Sequence, residues 1–246
     1  LHSFPPRLSS ELGIITTADI SGIRQHIQTY GTSTFNKRRA VPEDDSTWQR
    51  ASLGYELGNV ARLLGYFTDS ASVSLLHALA ADSDSSLALS ALCALEQCGQ
   101  TTHPALWEGY AVNPVWRNIV YNRLENLHKT ERFPEQYRTQ EALAEGDLIQ
   151  FLYNDEDVPS QIQLLQVHEI TEGGQQGRYF VYKFCYASRD EEATEPAPWY
   201  VGISGPQPLD TEKVTGAGSR TMSYFNTLDE MSIDDHITAL LEESSP

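Results

Sequence analysis

Up to about residue 155 the apolar residues recur every three or four positions, and beyond it they gather in short β-branched and aromatic runs. The first spacing predicts helices and the second predicts strands. A first helix is expected from Thr17 or Asp19, with Ile20, Ile23, Ile27 and Tyr30 on one stripe and Gly31 as its left-handed stop. The segment TSTFNKRRAVPEDDS breaks that periodicity and reads as a loop. Its Asp44, Asp45 and Ser46 are N-cap candidates for a long helix carrying Leu53, Leu57, Val60, Ala61 and Leu64. ASVSLLHALAADSDSSLALSALCALEQCG reads as two antiparallel helices around a DSDSS turn. Val73, Leu76 and Leu79 face inward from one, and Ala88, Ala91, Leu92 and Leu95 from the other. Asn113-Pro114 then separates a short helix near Leu106 and Trp107 from a longer one with Trp116, Ile119, Val120, Leu124 and Leu127 inside.

In the C-terminal part, TQEALAEGDLIQFLYN is expected to form a helix with Ala144, Leu148, Ile149 and Leu152 inward. Residues 162–170 and 178–186 read as a β-hairpin around TEGGQQG, and WYVGISG (199–205) as a third strand. In the middle strand Phe180, Tyr182, Phe184 and Tyr186 alternate with Tyr179, Val181 and Cys185. Both faces are therefore apolar, as suits a central strand covered on each side. KVTGAGSRT reads as a connection, and SIDDHITALLEE as a final helix capped by Ser232 that buries Ile233, Ile237, Leu240 and Leu241, followed by a frayed ESSP tail.

Charge changes near the same place as the pattern. Residues 1–133 carry 11 basic and 13 acidic side chains, whereas 134–246 carry 6 and 21, out of a net charge of −17. The fold class expected is α+β, with a helical domain over 1–133 and an acidic α+β domain with a three-stranded antiparallel sheet over 134–246. A shift of 31 positions brings Leu64 onto Leu95, Leu76 onto Trp107 and Ala88 onto Ile119. Two helices per roughly 30 residues is the period of an α-solenoid.

The order helix, DSDSS, helix, CG within 51–130, with small residues at Ala88, Ala91 and Ala94 where paired helices must approach, resembles HEAT repeats of the short bacterial type. The resemblance implies an N-terminal α-solenoid of HEAT-like helical hairpins and specifies no activity. The order DLIQFLY, QIQLLQVHEI, RYFVYKFCY, WYVGISGPQ, SIDDHITALL resembles the compact C-terminal domain that follows HEAT-type repeats in some bacterial proteins of uncharacterised function.

Chemistry-bearing patterns are few. Cys93 and Cys98 lie about 140° apart around a helix and lack a second Cys/His pair at zinc spacing. The seven histidines stand singly, so no metal and no cofactor is expected. Cys185 lies in an aromatic strand, where a thiol behaves as a small hydrophobe. GISGP at 202–206 has Pro206 where a nucleophile elbow needs Gly, and GGQQG (173–177) and GAGS (216–219) lack the helix and the Lys-Ser/Thr of a phosphate cradle. Asp155-Glu156-Asp157 lacks the glycine of a calcium loop, and Asp44-Asp45 and Asp234-Asp235 read as solvated charge.

Lys37-Arg38-Arg39 is the one basic cluster in an acidic chain, so neither nucleic acid nor an anionic membrane surface is an expected partner. No apolar run is long enough to span a bilayer, the opening LHSFPPRL does not read as a secretory leader, and three cysteines suit a reducing cytoplasm. The remaining expectation is a non-enzymatic protein–protein interaction module for a basic partner, as an immunity or inhibitor protein or an adaptor. Trp48 and Trp116 are among the possible aromatic anchors, and Tyr55, Tyr66, Trp107, Tyr110 and Trp199 are the candidate binding residues. The alternatives are a hydrolase or transferase in an interdomain crevice, which polar groups clustered around Cys185, His168 or Glu169 would favour, and a structural subunit of a larger assembly.

Overall fold

The computed structural model describes residues 17–43, 48–153, 158–171, 176–187, 197–216 and 220–243. Among them are eight α-helices and one four-stranded sheet, an α+β fold. The chain forms two compact units, Leu1–His103 and Pro104–Pro246. The break precedes the domain boundary expected at 133/134, because the helices after His103 pack with the C-terminal residues.

The first unit is helical: α1 (Thr17–Ala40), α2 (Gln49–Leu64), α3 (Ser70–Ala80) and α4 (Ser85–Gln97). Asp69 caps α3 by accepting from the amides of Ala71 and Ser72, and Asp84 caps α4 by accepting from Ser86 and Leu87. The core joins Leu57, Val60, Ala61 and Leu64 of α2 to Leu75, Leu76 and Leu79 of α3 and to Leu87, Ala91, Ala94 and Leu95 of α4. The faces expected for α2, α3 and α4 are therefore the ones turned to the core, whereas the stripe expected for α1 is corrected: Ile23 and Tyr30 are exposed, and of that stripe only Ile27 packs against this core.

Gly31 does not stop the first helix, which continues through the segment read as a loop to Ala40. Gly31 is buried, and a Cβ there would lie 2.7 Å from Val60 Cγ1 and 3.1 Å from Leu75 Cδ2. The residue permits close helix approach rather than a left-handed turn. Beyond it the inner face carries Thr34 and Arg38, both buried, so a hydrophobic stripe ceases while the helix does not. The N-cap candidates Asp44, Asp45 and Ser46 lie outside the described residues.

The second unit opens with α5 (Pro104–Ala111) and α6 (Pro114–Asn126). Asn113 caps α6 by accepting from the Val115 amide, with Pro114 as the first helical residue. Two 3₁₀ turns lead to α7 (Gln140–Leu152), capped by Thr139. The sheet follows as β1 (Gln161–Ile170), β2 (Gly177–Cys185), β3 (Tyr200–Gln207) and β4 (Arg220–Thr227), antiparallel throughout and in sequence order, before α8 (Ile233–Glu243).

The three-stranded sheet expected from the sequence is corrected to four strands. RTMSYFNT has only Met, Tyr and Phe among polar residues, and it forms a strand by pairing with β3, Ile203 opposite Met222 and Gly202 opposite Ser223. β2 is covered on both faces. Phe180, Tyr182 and Phe184 pack with Ala144, Leu148 and Leu152 of α7, while Tyr179 and Val181 lie with Ile237 and Leu240 of α8. Gly202 lets α7 approach, since a Cβ would lie 2.9 Å from Leu148 Cδ1. Ser232 caps α8, its hydroxyl oxygen accepting from the Asp235 amide and its proton going to the Asp235 carboxylate.

Candidate partner-binding surface

Helix α2 turns one face into the core and leaves the opposite line to solvent. Trp48 and Gly65 flank it with near-helical backbone, so the helical screw extends through Trp48 at one end and Tyr66 at the other. At 100° per residue, Trp48, Tyr55, Arg62 and Tyr66 fall within about 40° of one another. The three aromatic residues are exposed, Trp48 80%, Tyr55 74% and Tyr66 45%, with Leu63 at 49%. Trp48 and Tyr55 are separated by about 10 Å along the axis and Tyr55 and Tyr66 by about 16 Å.

The polar groups along this line are few. The Arg62 guanidinium donates to Asn59 Oδ1. The Tyr30 hydroxyl, on α1, donates to a Glu56 carboxylate oxygen at 2.6 Å, and that bond holds its proton and raises its pKa. Transferring one large aromatic ring out of water removes roughly 150–250 Å² of surface and stabilises a complex by several kcal/mol before association costs.

Of the five residues expected to bind a partner, Tyr55 and Tyr66 come together here, joined by Trp48. Trp107 is fully buried and is a packing residue. Tyr110 is half-buried with its ring edge-to-face on Trp116 at 5.9 Å. Trp199 is half-buried just before β3, with the Lys183 ammonium 4.5 Å from its ring centroid. A shared line on α2 could be found from the spacing 48, 55, 66, but only its exposure separates it from a core stripe of the same period.

Two buried polar clusters escaped sequence reasoning. In the first unit Arg38, from the basic cluster, is only 3% exposed at its side chain and holds the DSDSS turn. Its Nε donates to Asp82 Oδ2 at 3.1 Å, and its Nη2 to Asp82 Oδ1 at 2.9 Å and Asp84 Oδ2 at 3.3 Å. Burial works against the charge of Asp82, but the Arg38 bonds and the Asp84 amide outweigh it and hold the Asp82 carboxyl below its ordinary range. The middle residue of the basic cluster is thus a tie between helices and a turn.

In the second unit Arg117 and Asn118 of α6 are buried against α7. Arg117 donates to Glu145 at 2.6 Å and to the Ala142 carbonyl at 2.9 Å, and lies 5.1 Å from the Tyr137 ring centroid. Asn118 Nδ2 donates to the Leu143 carbonyl at 2.8 Å and to Asp147 Oδ1 at 2.7 Å, while Asp147 Oδ2 is buried without a hydrogen-bond partner. Burial pushes the Asp147 carboxyl up to about 6, against the lowering effect of the Asn118 bond. Burial, with Glu145 and Glu141 nearby, also raises the Tyr182 hydroxyl, which donates to the Glu141 carbonyl.

The residues whose clustering would have favoured an enzyme are spread along a hairpin. Cys185 pairs opposite Gln161 at one end of β1, whereas His168 pairs opposite Tyr179 near the other. Seven strand positions, roughly 23 Å, separate the two places. Glu169 is taken by Arg178, 3.0 Å away. Cys93, Cys98 and Cys185 are not joined in disulfides, and the last two are buried. Among the described residues, no group of three or more His, Cys, Asp or Glu side chains is placed to hold a metal ion. No helix among them is long and apolar enough to cross a membrane. The acidic run 155–157 and most of GGQQG and GAGS lie outside the described residues.

No protein-family model matches the chain, and no match emerges among curated proteins or among solved structures.

Proposed function

We propose that this chain works as a non-enzymatic protein-binding module, with the outer line of α2 as its anchoring face. The observation that carries the reading is that Trp48, Tyr55 and Tyr66 share one helical line and are all exposed on the folded chain. Exposed aromatics in a row are the residue type that supplies most of the energy at protein interfaces. The net charge of −17, concentrated after residue 133, supports a basic partner drawn in by long-range attraction and disfavours nucleic acid. An inhibitor or immunity protein neutralising a basic target, or an adaptor for one, is the form we favour. The reading places it in the cytoplasm, in keeping with three cysteines that form no disulfide.

For the helical hairpins we keep a HEAT-like solenoid as the working arrangement. Its support is the 31-position correspondence of buried residues, Leu64 with Leu95 and Leu76 with Trp107.

The test is affinity capture from the source lysate with the native protein and with Trp48→Ala/Tyr55→Ala/Tyr66→Ala, at low and at ~0.5 M salt, where the Debye length is only a few ångströms. The native protein is expected to retain one basic protein at low salt and to lose it at high salt, and the triple variant to lose it at both while melting as the native does. Equal capture by the triple variant, or no partner under any condition, overturns the reading.

A further inference from the structure

We propose that the outer line of α2 also pairs with a second copy of this chain, the two helices running antiparallel about a two-fold axis. Pairing of this kind masks the anchoring face until the dimer separates. It uses the same residues as the proposed function but does not rest on it, since no other protein is required.

Trp48, Ser52, Tyr55, Asn59, Arg62 and Tyr66 follow one another at spacings of four, three, four, three and four. That is the spacing of a coiled-coil seam, and at 100° per residue all six fall within an arc of about 80°. The seam lies opposite Leu57 and Leu64, which are fully buried in the core of the first unit.

The spacings read the same in both directions. An antiparallel copy, with the axis at the level of Leu57, therefore sets three pairs opposite one another at once: Trp48 with Tyr66, Ser52 with Arg62, and Tyr55 with Asn59 of the second copy. Each pair matches in chemistry. Two large rings meet at either end, and the Ser52 hydroxyl oxygen can accept from the guanidinium. The Tyr55 ring meets the amide of Asn59 and, one step along, the guanidinium of Arg62, two groups already joined within each chain. A parallel copy would instead set Arg62 against Arg62.

Charge and area also fit a second copy. Residues 1–133 are near balance, with 11 basic and 13 acidic side chains, against 6 and 21 after them. The helical part is thus where two copies of an acidic chain repel least. The exposed parts of Trp48, Tyr55, Arg62, Leu63 and Tyr66 offer roughly 600 Å² per copy, which puts the pair at the lower limit of specific interfaces. A Kd on the order of 10–100 μM follows. Long-range repulsion between two chains of net charge −17 is screened by salt, so the dimer should tighten as salt rises, opposite to a complex with a basic partner.

Sedimentation equilibrium of the pure whole chain up to about 1 mM reads the association. A monomer–dimer equilibrium is expected, at least about threefold tighter at ~0.5 M than at about 0.05 M salt. Trp48→Ala/Tyr66→Ala should weaken it at least about tenfold. The register is read with Ser52→Cys and with Arg62→Cys, each in a Cys93→Ser background, the other two cysteines being buried. Positions 52 and 62 face one another across the axis, whereas each lies about 15 Å along the helices from its own counterpart. A short bismaleimide should join a mixture of the two variants into dimers and leave either variant alone as monomer.

A chain that stays monomeric to about 1 mM, a dimer that loosens with salt, or one indifferent to Trp48→Ala/Tyr66→Ala overturns the proposal. So does a mixture that cross-links no better than either variant alone. None of these results bears on capture of a basic partner from lysate, and loss of that capture leaves the dimer standing, so the two readings fail separately.

Discussion

Replacing Asp147 by Asn should stabilise the protein at neutral pH. The carboxyl is held between α6 and α7, one oxygen accepting from Asn118 and the other buried without a partner. Burial raises its pKa from 3.8 to about 6. A raised carboxyl pKa means that the native state binds the proton more tightly than the unfolded chain does. Stability attributable to this group is therefore full below about pH 4, falls as pH rises toward 6, and stays lost above it. A displacement of about two pH units corresponds to about 3 kcal/mol at neutral pH.

Asp147→Asn keeps the acceptor for Asn118 and removes the charge, but it places an amide donor where Oδ2 has no partner, which costs about 1 kcal/mol or somewhat more. A net gain of about 1–2 kcal/mol at pH 7 is expected, shrinking to nothing or reversing below about pH 4. Urea unfolding of both proteins between pH 4 and pH 8, at constant ionic strength, measures the difference directly. An Asn variant less stable than the native protein at pH 7 would falsify the account of Asp147 as a buried, uncompensated carboxyl.

Arg38→Met should cost about 3–5 kcal/mol in urea unfolding, because it leaves Asp82 buried without its partner. Since the Asp82 pKa is lowered, the stabilisation it reflects is present above the ordinary carboxyl range and lost as pH falls through the folded value; the deficit of the variant should narrow in acid, and a constant deficit would refute the assignment. The two glycines of α1 should behave oppositely. Gly22 has no atom within 4 Å of an added Cβ, so Gly22→Ala should add about 0.5–1 kcal/mol of stability. Gly31→Val drives a branched side chain against Val60 and Leu75 and should cost about 1–3 kcal/mol, with thermal melts reading both.

Helical and strand periodicities determined most of this protein without help from its tertiary structure. The inner faces of α2, α3, α4, α7 and α8 and the two-sided burial of β2 follow from apolar spacing alone, because burying those residues is the dominant favourable term and the spacing is local. The break at Asn113-Pro114 and the cap at Ser232 were legible for the same reason, being set within a few residues of a helix start. What the sequence hid was decided by partners distant along the chain. The apolar spacing of α1 stops at Gly31 because the inner face continues with Thr34 and Arg38, and the acceptors that make a buried arginine tolerable, Asp82 and Asp84, lie more than forty residues away. β4 is a strand because β3 offers it an unpaired edge, not because its own residues demand one. The candidate surface divides in the same way: the spacing of Trp48, Tyr55 and Tyr66 is written in the chain, whereas their exposure depends on which side of α2 the core of the first unit occupies.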